Sequence, residues 1–108
     1  MQAITRNDLK RMNESEHDDF VLINVLSPDA FNQAHIRTSV NVPVDQEGFE
    51  EMVKAIAASR DRHIVVYCAS FDCDASRQAA EQLDAAGFKH VYDYEGGTKD
   101  WIEKRMAA

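Results

Sequence analysis

Two cysteines, Cys68 and Cys73, are the side chains best suited to chemistry here, and both fall in one short segment, YCASFDCDASR. Cys68 directly follows the apolar, β-branched run from His63 to Tyr67, and a helical pattern opens near Asp74 to Ser76. The thiol is therefore expected at the carboxyl end of a strand, in the loop that leads to a helix, which is where open α/β sheets carry function. Such a loop can curl its backbone N–H groups inward as an anion-binding nest, and the helix N-terminus adds roughly half a positive charge. Surroundings of this kind lower a cysteine pKa from about 8.5 to roughly 3.5–7.5, which makes a nucleophile at neutral pH. The plain alternative is a small buried hydrophobe, the commonest state of a free cysteine.

The rest of the loop qualifies this reading. Cys73, five residues after Cys68, is placed to attack a persulfide or sulfenate on Cys68 and close a disulfide, provided the two Cα atoms come within about 7 Å. Otherwise it is a spare loop residue. Asp72 and Asp74 are carboxylates that would raise the pKa of a nearby thiolate and repel a dianion, unless they turn outward and cap the helix. Arg77 is the first cation after Cys68. Ala69, Ser70, Phe71 and Ser76 complete the candidate binding loop. Two cysteines and four histidines raise the question of zinc, but no histidine stands near the cysteines at ligand spacing, so neither a metal nor a cofactor is expected.

The elements that must hold this loop are legible as periodicities. Phe20–Val25 and His63–Tyr67 are nearly continuous apolar runs, as expected for parallel strands covered on both faces. Ala3-Ile4, Ser39–Val42 and His90–Tyr92 are weaker strand candidates, giving five in all. Phe49, Met52, Val53, Ile56 and Ala57 share one helix face, which predicts a helix over Gln46–Ser59. Ser76–Ala86 is a second helix, with Gly87 at its left-handed C-cap. Thr5 and Asp8 resemble a capping box opening a first helix that buries Leu9 and Met12, and Ser27-Pro28 opens another through Phe31. Trp101 and Ile102 mark a last helix, with Trp101 packed in the core. Alternation of strands and helices implies a parallel sheet between helical layers. His17, His63 and His90 read as surface or strand-edge residues, and the acidic run Glu14–Asp19 as a solvated loop.

At 108 residues, with 44% hydrophobic and 29% charged residues, four Gly and two Pro, the chain reads as a single globular domain over residues 1–108. A formal net charge of −7 argues against nucleic acid and anionic membranes, which are bound through Lys and Arg. The first twelve residues hold no signal-like apolar run and no stretch of about 18 apolar residues occurs, so a cytoplasmic protein with reduced thiols is expected.

Two stretches together resemble the rhodanese-like domain family, the sulfurtransferases that carry sulfane sulfur as a cysteine persulfide. VLINVLSPDAFNQAHIRTSVNVP is similar to the family's first signature, an Asp-x-Arg strand end followed by an acidic helix and Gly-His-Ile-Pro-Gly-Ala-x-Asn-x-Pro. In the second stretch, Cys68, Ala79-Ala80, Gly87-Phe88, Val91, Gly96-Gly97 and Trp101 stand in register with the family's cysteine, following helix, turn, last strand and closing Gly-Gly-x-x-x-Trp. Asn24 and Leu26 replace the Asp and Arg, removing an ion pair, while Ala34 and Arg37-Thr38-Ser39 replace Gly and Pro-Gly-Ala around His35-Ile36. Ser76 stands eight residues after Cys68 where most single-domain relatives have six, so the loop is longer.

The resemblance implies a three-layer α/β/α rhodanese-like fold with a five-stranded parallel sheet flanked by helices. It makes Cys68 the catalytic residue of a sulfurtransferase, receiving sulfane sulfur as a persulfide held by the amides of residues 69 to 73 and passing it to a thiol or cyanide. It also implies that His35 supports the turn before the third strand. The acidic loop predicts weak activity with thiosulfate and favours a small thiol, or a partner protein carrying sulfur, as donor or acceptor. The alternative is a non-catalytic or redox-regulatory module that binds a partner on the same face. A cysteine phosphatase or arsenate reductase is disfavoured because those enzymes clamp the oxyanion with a loop Arg, where this loop has Asp.

Overall fold

The structure, a computed structural model, describes residues 1–14 and 19–106, the last two of these by main chain alone. His17 and most of the acidic run lie outside the described residues. The order is β1 (Gln2–Ile4), α1 (Arg6–Glu14), β2 (Phe20–Asn24), α2 (Pro28–Gln33), β3 (Val40–Asn41), α3 (Phe49–Ala57), β4 (His63–Tyr67), α4 (Ala75–Ala85), β5 (His90–Tyr94) and α5 (Gly97–Met106). All strand pairs are parallel, in the spatial order β1-β5-β4-β2-β3, so β4 is the central strand.

Side chains alternate across the sheet, and each face has its own core. On one face Val21, Ile23, Ile64, Val66 and Val91 pack with Phe49 and Val53 of α3 and with Ala79, Ala80 and Leu83 of α4. On the other, Leu22, Val65, Tyr67 and Tyr94 pack with Leu9 of α1 and, at the margin, Trp101 of α5. Covering both faces is what makes β2 and β4 continuously apolar. Trp101 is only half-buried, meeting Tyr94 edge-on at 6.4 Å while the Arg6 guanidinium lies 4.8 Å from its ring centre.

The caps behave as their residues dictate. Thr5 Oγ1 accepts from Asp8 N at 3.2 Å and Asp8 Oδ2 from Thr5 N at 2.9 Å, a reciprocal box. Ser27 Oγ accepts from Ala30 N at 3.2 Å at the start of α2. At the end of α4, Phe88 N donates to Leu83 O and Gly87 N to Asp84 O, with Gly87 at φ 95°, a Schellman closure.

Several boundaries differ from the periodicity, each for a local reason. The third helix begins at Phe49 rather than Gln46 because Gly48 is left-handed (φ 79°), and it ends at Ala57 because Ala58 is left-handed as well (φ 68°). The second helix of the expected pair starts at Ala75 and α2 runs on to Gln33. The third strand shrinks to Val40–Asn41, paired only with Ile23 and Asn24. The fifth strand continues to Tyr94, since it is paired on both sides, with β1 and with β4, as far as that residue.

Where Asn24 and Leu26 stand in place of the signature's ion pair, Asn24 Oδ1 accepts from Leu26 N at 2.9 Å and from Asn41 Nδ2 at 3.4 Å. His35 does not support the turn before β3. It stacks on Phe31, with ring centres 3.9 Å apart, and its Nδ1 bonds Phe31 O in the last turn of the preceding helix α2. The turn is held instead by Tyr67, whose hydroxyl accepts from Ile36 N at 2.9 Å and bonds Ser39 Oγ at 2.7 Å.

Candidate active site

Cys68 is the first residue beyond β4, at the carboxyl edge of the central strand, and the alternation of the strand turns its side chain to the α4 face with Ile64 and Val66. Its main chain is anchored from across the sheet end: Thr98 N and Thr98 Oγ1 donate to Cys68 O at 3.0 and 3.4 Å, and Lys99 N donates to Ala69 O at 2.9 Å. The first turn of α5 thus fixes the residue before the loop departs.

The sulfur itself is enclosed, with Cys68 0% exposed. Its Sγ–H donates to Cys73 O at 3.4 Å and to Ser76 Oγ at 3.5 Å. Two of the amides expected in an inward-facing nest, those of Asp72 and Cys73, are directed elsewhere. Cys73 N is turned to Ser70 O and Asp72 N to Ser70 Oγ, so the group presented to the sulfur is a carbonyl, which favours the protonated thiol. Burial pushes the Cys68 thiol up, the Cys73 side chain pushes it further, and the hydroxyl and amide of Ser76 partly offset the rise. In this arrangement the thiol is held as a protonated group.

The loop residues divide into two groups. Cys73 and Ser76 surround the sulfur, with Ser76 1% exposed. Phe71, at 69% exposure, stands on the tip. Asp72 and Asp74 are exposed, and neither is a cause of the raised thiol pKa. Asp74 occupies the N-cap of α4 without a side-chain cap bond, and pairs with Arg77 at 3.4 Å. Ala69 borders a largely apolar groove of about 430 Å³ that it shares with Leu26, Ala30, Ala34, Thr98 and Ile102. Cys68 and Cys73 are both free thiols.

One buried group on the α4 side of the sheet escaped the sequence reading. Asp93 is 2% exposed, and its Oδ1 has no hydrogen-bond partner among the described residues. Counting by twos from Val91 along a strand run on to Tyr94 would have placed it on the α4 face. His63 and His90 lie at the opposite end of the sheet, stacked 4.2 Å apart, with His63 Nδ1 2.9 Å from Tyr92 Oη. Among the described residues no group of three or more His, Cys, Asp or Glu is arranged to hold a metal ion, and no helix is long and apolar enough to cross a membrane.

Comparison with known proteins places this geometry. The family model described as the Rhodanese-like domain matches residues 5–104. A Schizosaccharomyces pombe protein assigned as a mitochondrial thiosulfate sulfurtransferase is 36% identical over 93 residues, covering 78% of this chain, which spans only 64% of that protein's length. The thiosulfate sulfurtransferase GlpE of Pseudomonas syringae is 33% identical over 81 residues, 75% of this chain and 71% of that one. Among solved structures, the rhodanese-like domain of the Anabaena sp. protein Alr3790 superposes with a TM-score of 0.79 at 25% identity, covering 96% of this chain and 75% of the other.

Proposed function

The chain belongs to the rhodanese-like domain family, and on that premise we propose that it is a sulfurtransferase moving sulfane sulfur through a persulfide on Cys68. The observation that carries the reading is the place of Cys68, one residue past the central strand and under the loop that opens α4. The Cys68 thiolate attacks the outer sulfur of a donor persulfide, forming Cys68–S–SH and releasing the donor as a thiolate. An acceptor thiolate, or cyanide, then attacks that outer sulfur, leaves with it, and restores the Cys68 thiolate.

Thiosulfate is a poor donor in this scheme, because Asp72 and Asp74 stand exposed beside the loop and meet its two negative charges. A small persulfide or a protein carrying sulfur suits the site better, and the net charge of −7 disfavours nucleic acid and anionic membranes as partners. Two free thiols fit a reducing compartment such as the cytoplasm. Cys73 has a resolving role: attack on the inner sulfur of the Cys68 persulfide would give a Cys68–Cys73 disulfide and release hydrosulfide.

The enclosure of the sulfur supports a second reading, a non-catalytic or redox-regulatory module that binds a partner on this face. Intact mass after incubation with thiosulfate, and separately with a small persulfide, decides between them. Transfer predicts a gain of one sulfur from the persulfide that is lost in Cys68→Ser. No gain from any donor leaves the binding module, and a gain lost only in Cys73→Ser moves the nucleophile to Cys73.

A further inference from the structure

We propose that Asp93 accepts the Cys68 proton through the Ser76 hydroxyl as the thiol becomes a nucleophile, a positioning role that rests on the sulfurtransfer reading. Asp93 pairs with Val66 on β4 and with Ala3 on β1. Val66 and Val91 both belong to the core under α4, and register neighbours share a face, so the Asp93 carboxyl points toward the first turn of α4. That turn carries the buried Ser76, whose hydroxyl draws the Asp93 carboxyl down and lies 3.5 Å from the Cys68 sulfur as an acceptor. A carboxyl 2% exposed, with an oxygen lacking any partner among the described residues, is uncommon in a folded core. Burying an ionised oxygen without a partner is costly, and that cost raises its affinity for a proton.

The step balances without any outside reagent. The Sγ–H bond breaks and its proton passes to Ser76 Oγ, while the Ser76 hydroxyl proton passes to Asp93. A thiol and a carboxylate become a thiolate and a carboxylic acid. The pocket carries one negative charge before and after, whereas loss of the proton to solvent would leave two charges in a buried space. The groups acting on Asp93 are compatible with this. Burial pushes its carboxyl up, the Ser76 hydroxyl draws it down, Glu95 beyond the strand end raises it and Arg77 on α4 lowers it. Of the titratable groups of the loop, Cys68 and Cys73 lie at Ser76, while Asp72 and Asp74 are exposed and Asp74 pairs with Arg77.

The test is the pH dependence of Cys68 alkylation by iodoacetamide, resolved from Cys73 by tandem mass spectrometry, with the Cys73 rate in the same sample reporting loop opening. Two titrating groups that share a proton give a rate plateau on the acid side of the thiol's own rise. Asp93→Asn and Ser76→Ala should each remove the plateau and lower the Cys68 rate near neutral pH by about tenfold or more, while the alkaline rise remains. A carboxylate acting only by repulsion, or only as structure, would give an unchanged or faster neutral rate in Asp93→Asn, and that result overturns the proposal. Absence of the plateau in the unmodified protein overturns it as well, whether or not the variants fold. Sulfur loading followed in parallel keeps the two readings apart: a plateau in a protein that never gains sulfur supports the relay and removes the sulfurtransferase.

Discussion

The backbone of Gly97 lies directly against that of Cys68. Gly97 is left-handed (φ 66°), and a Cβ there would run into the Cys68 carbonyl oxygen and come within 2.9 Å of the Cys68 and Ala69 carbonyl carbons. The glycine lets α5 approach closely enough for Thr98 N to bond Cys68 O at 3.0 Å.

Gly97→Ala should therefore destabilise the fold by at least about 2 kcal/mol, from positive φ and backbone overlap together. Urea unfolding measures this. In the fraction that folds, displacement of Cys68 should slow sulfur uptake roughly 10- to 100-fold. An alanine variant of unchanged stability would contradict the contact.

Tyr67→Phe removes a buried hydroxyl and leaves the Ile36 amide without its acceptor. A loss of about 1–3 kcal/mol is expected from urea unfolding, because a buried donor left unpaired costs its full desolvation. Ser39→Ala should cost less, since the Tyr67 hydroxyl keeps the Ile36 amide.

Thr38 is β-branched and left-handed, at φ 78°, where the family signature carries glycine. Thr38→Gly should stabilise by about 0.5–1 kcal/mol, the relief of strain exceeding the entropy lost by glycine on folding. The midpoint of thermal unfolding should rise by roughly 2–6 °C. A fall would show that the threonine side chain contributes more than its backbone costs.

The raised Cys68 thiol makes stability fall with alkali. Below the ordinary value of 9.0, both folded and unfolded thiols hold their proton and the contribution is intact. Above it, the unfolded chain ionises first, and stability declines as pH climbs through the higher folded value. Tyr94, raised by burial and by its bond to Asp100, adds a slope of the same sign at higher pH. Urea midpoints from pH 8 upward should thus fall less steeply in Cys68→Ala than in the unmodified protein. An equal slope would mean that the folded thiol is not raised.

What could be read from the residues, and what could not, follows from how far each signal reaches along the chain. β2 and β4 are plain because burial on both faces leaves no polar gaps, and the caps at Thr5, Ser27 and Gly87 are plain because their partners lie within a few residues. The place of Cys68 after β4 is local in the same sense. The state of its sulfur is not. Whether a loop offers amides or a carbonyl depends on the turn at Ser70–Cys73, and composition does not specify that. Tyr67 reaches a residue 31 positions away to bond Ile36, and Asp93 lies beyond the point where apolar alternation in β5 stops. Such roles appear only once strands are in register.

β4 has β5 and β1 on one side and β2 and β3 on the other. Fraying that starts at either border must peel away an entire inner strand before it can disturb residue 68. Warming should accordingly leave the reactive centre whole until the domain melts as a unit, so that sulfur handling and global unfolding disappear at one temperature.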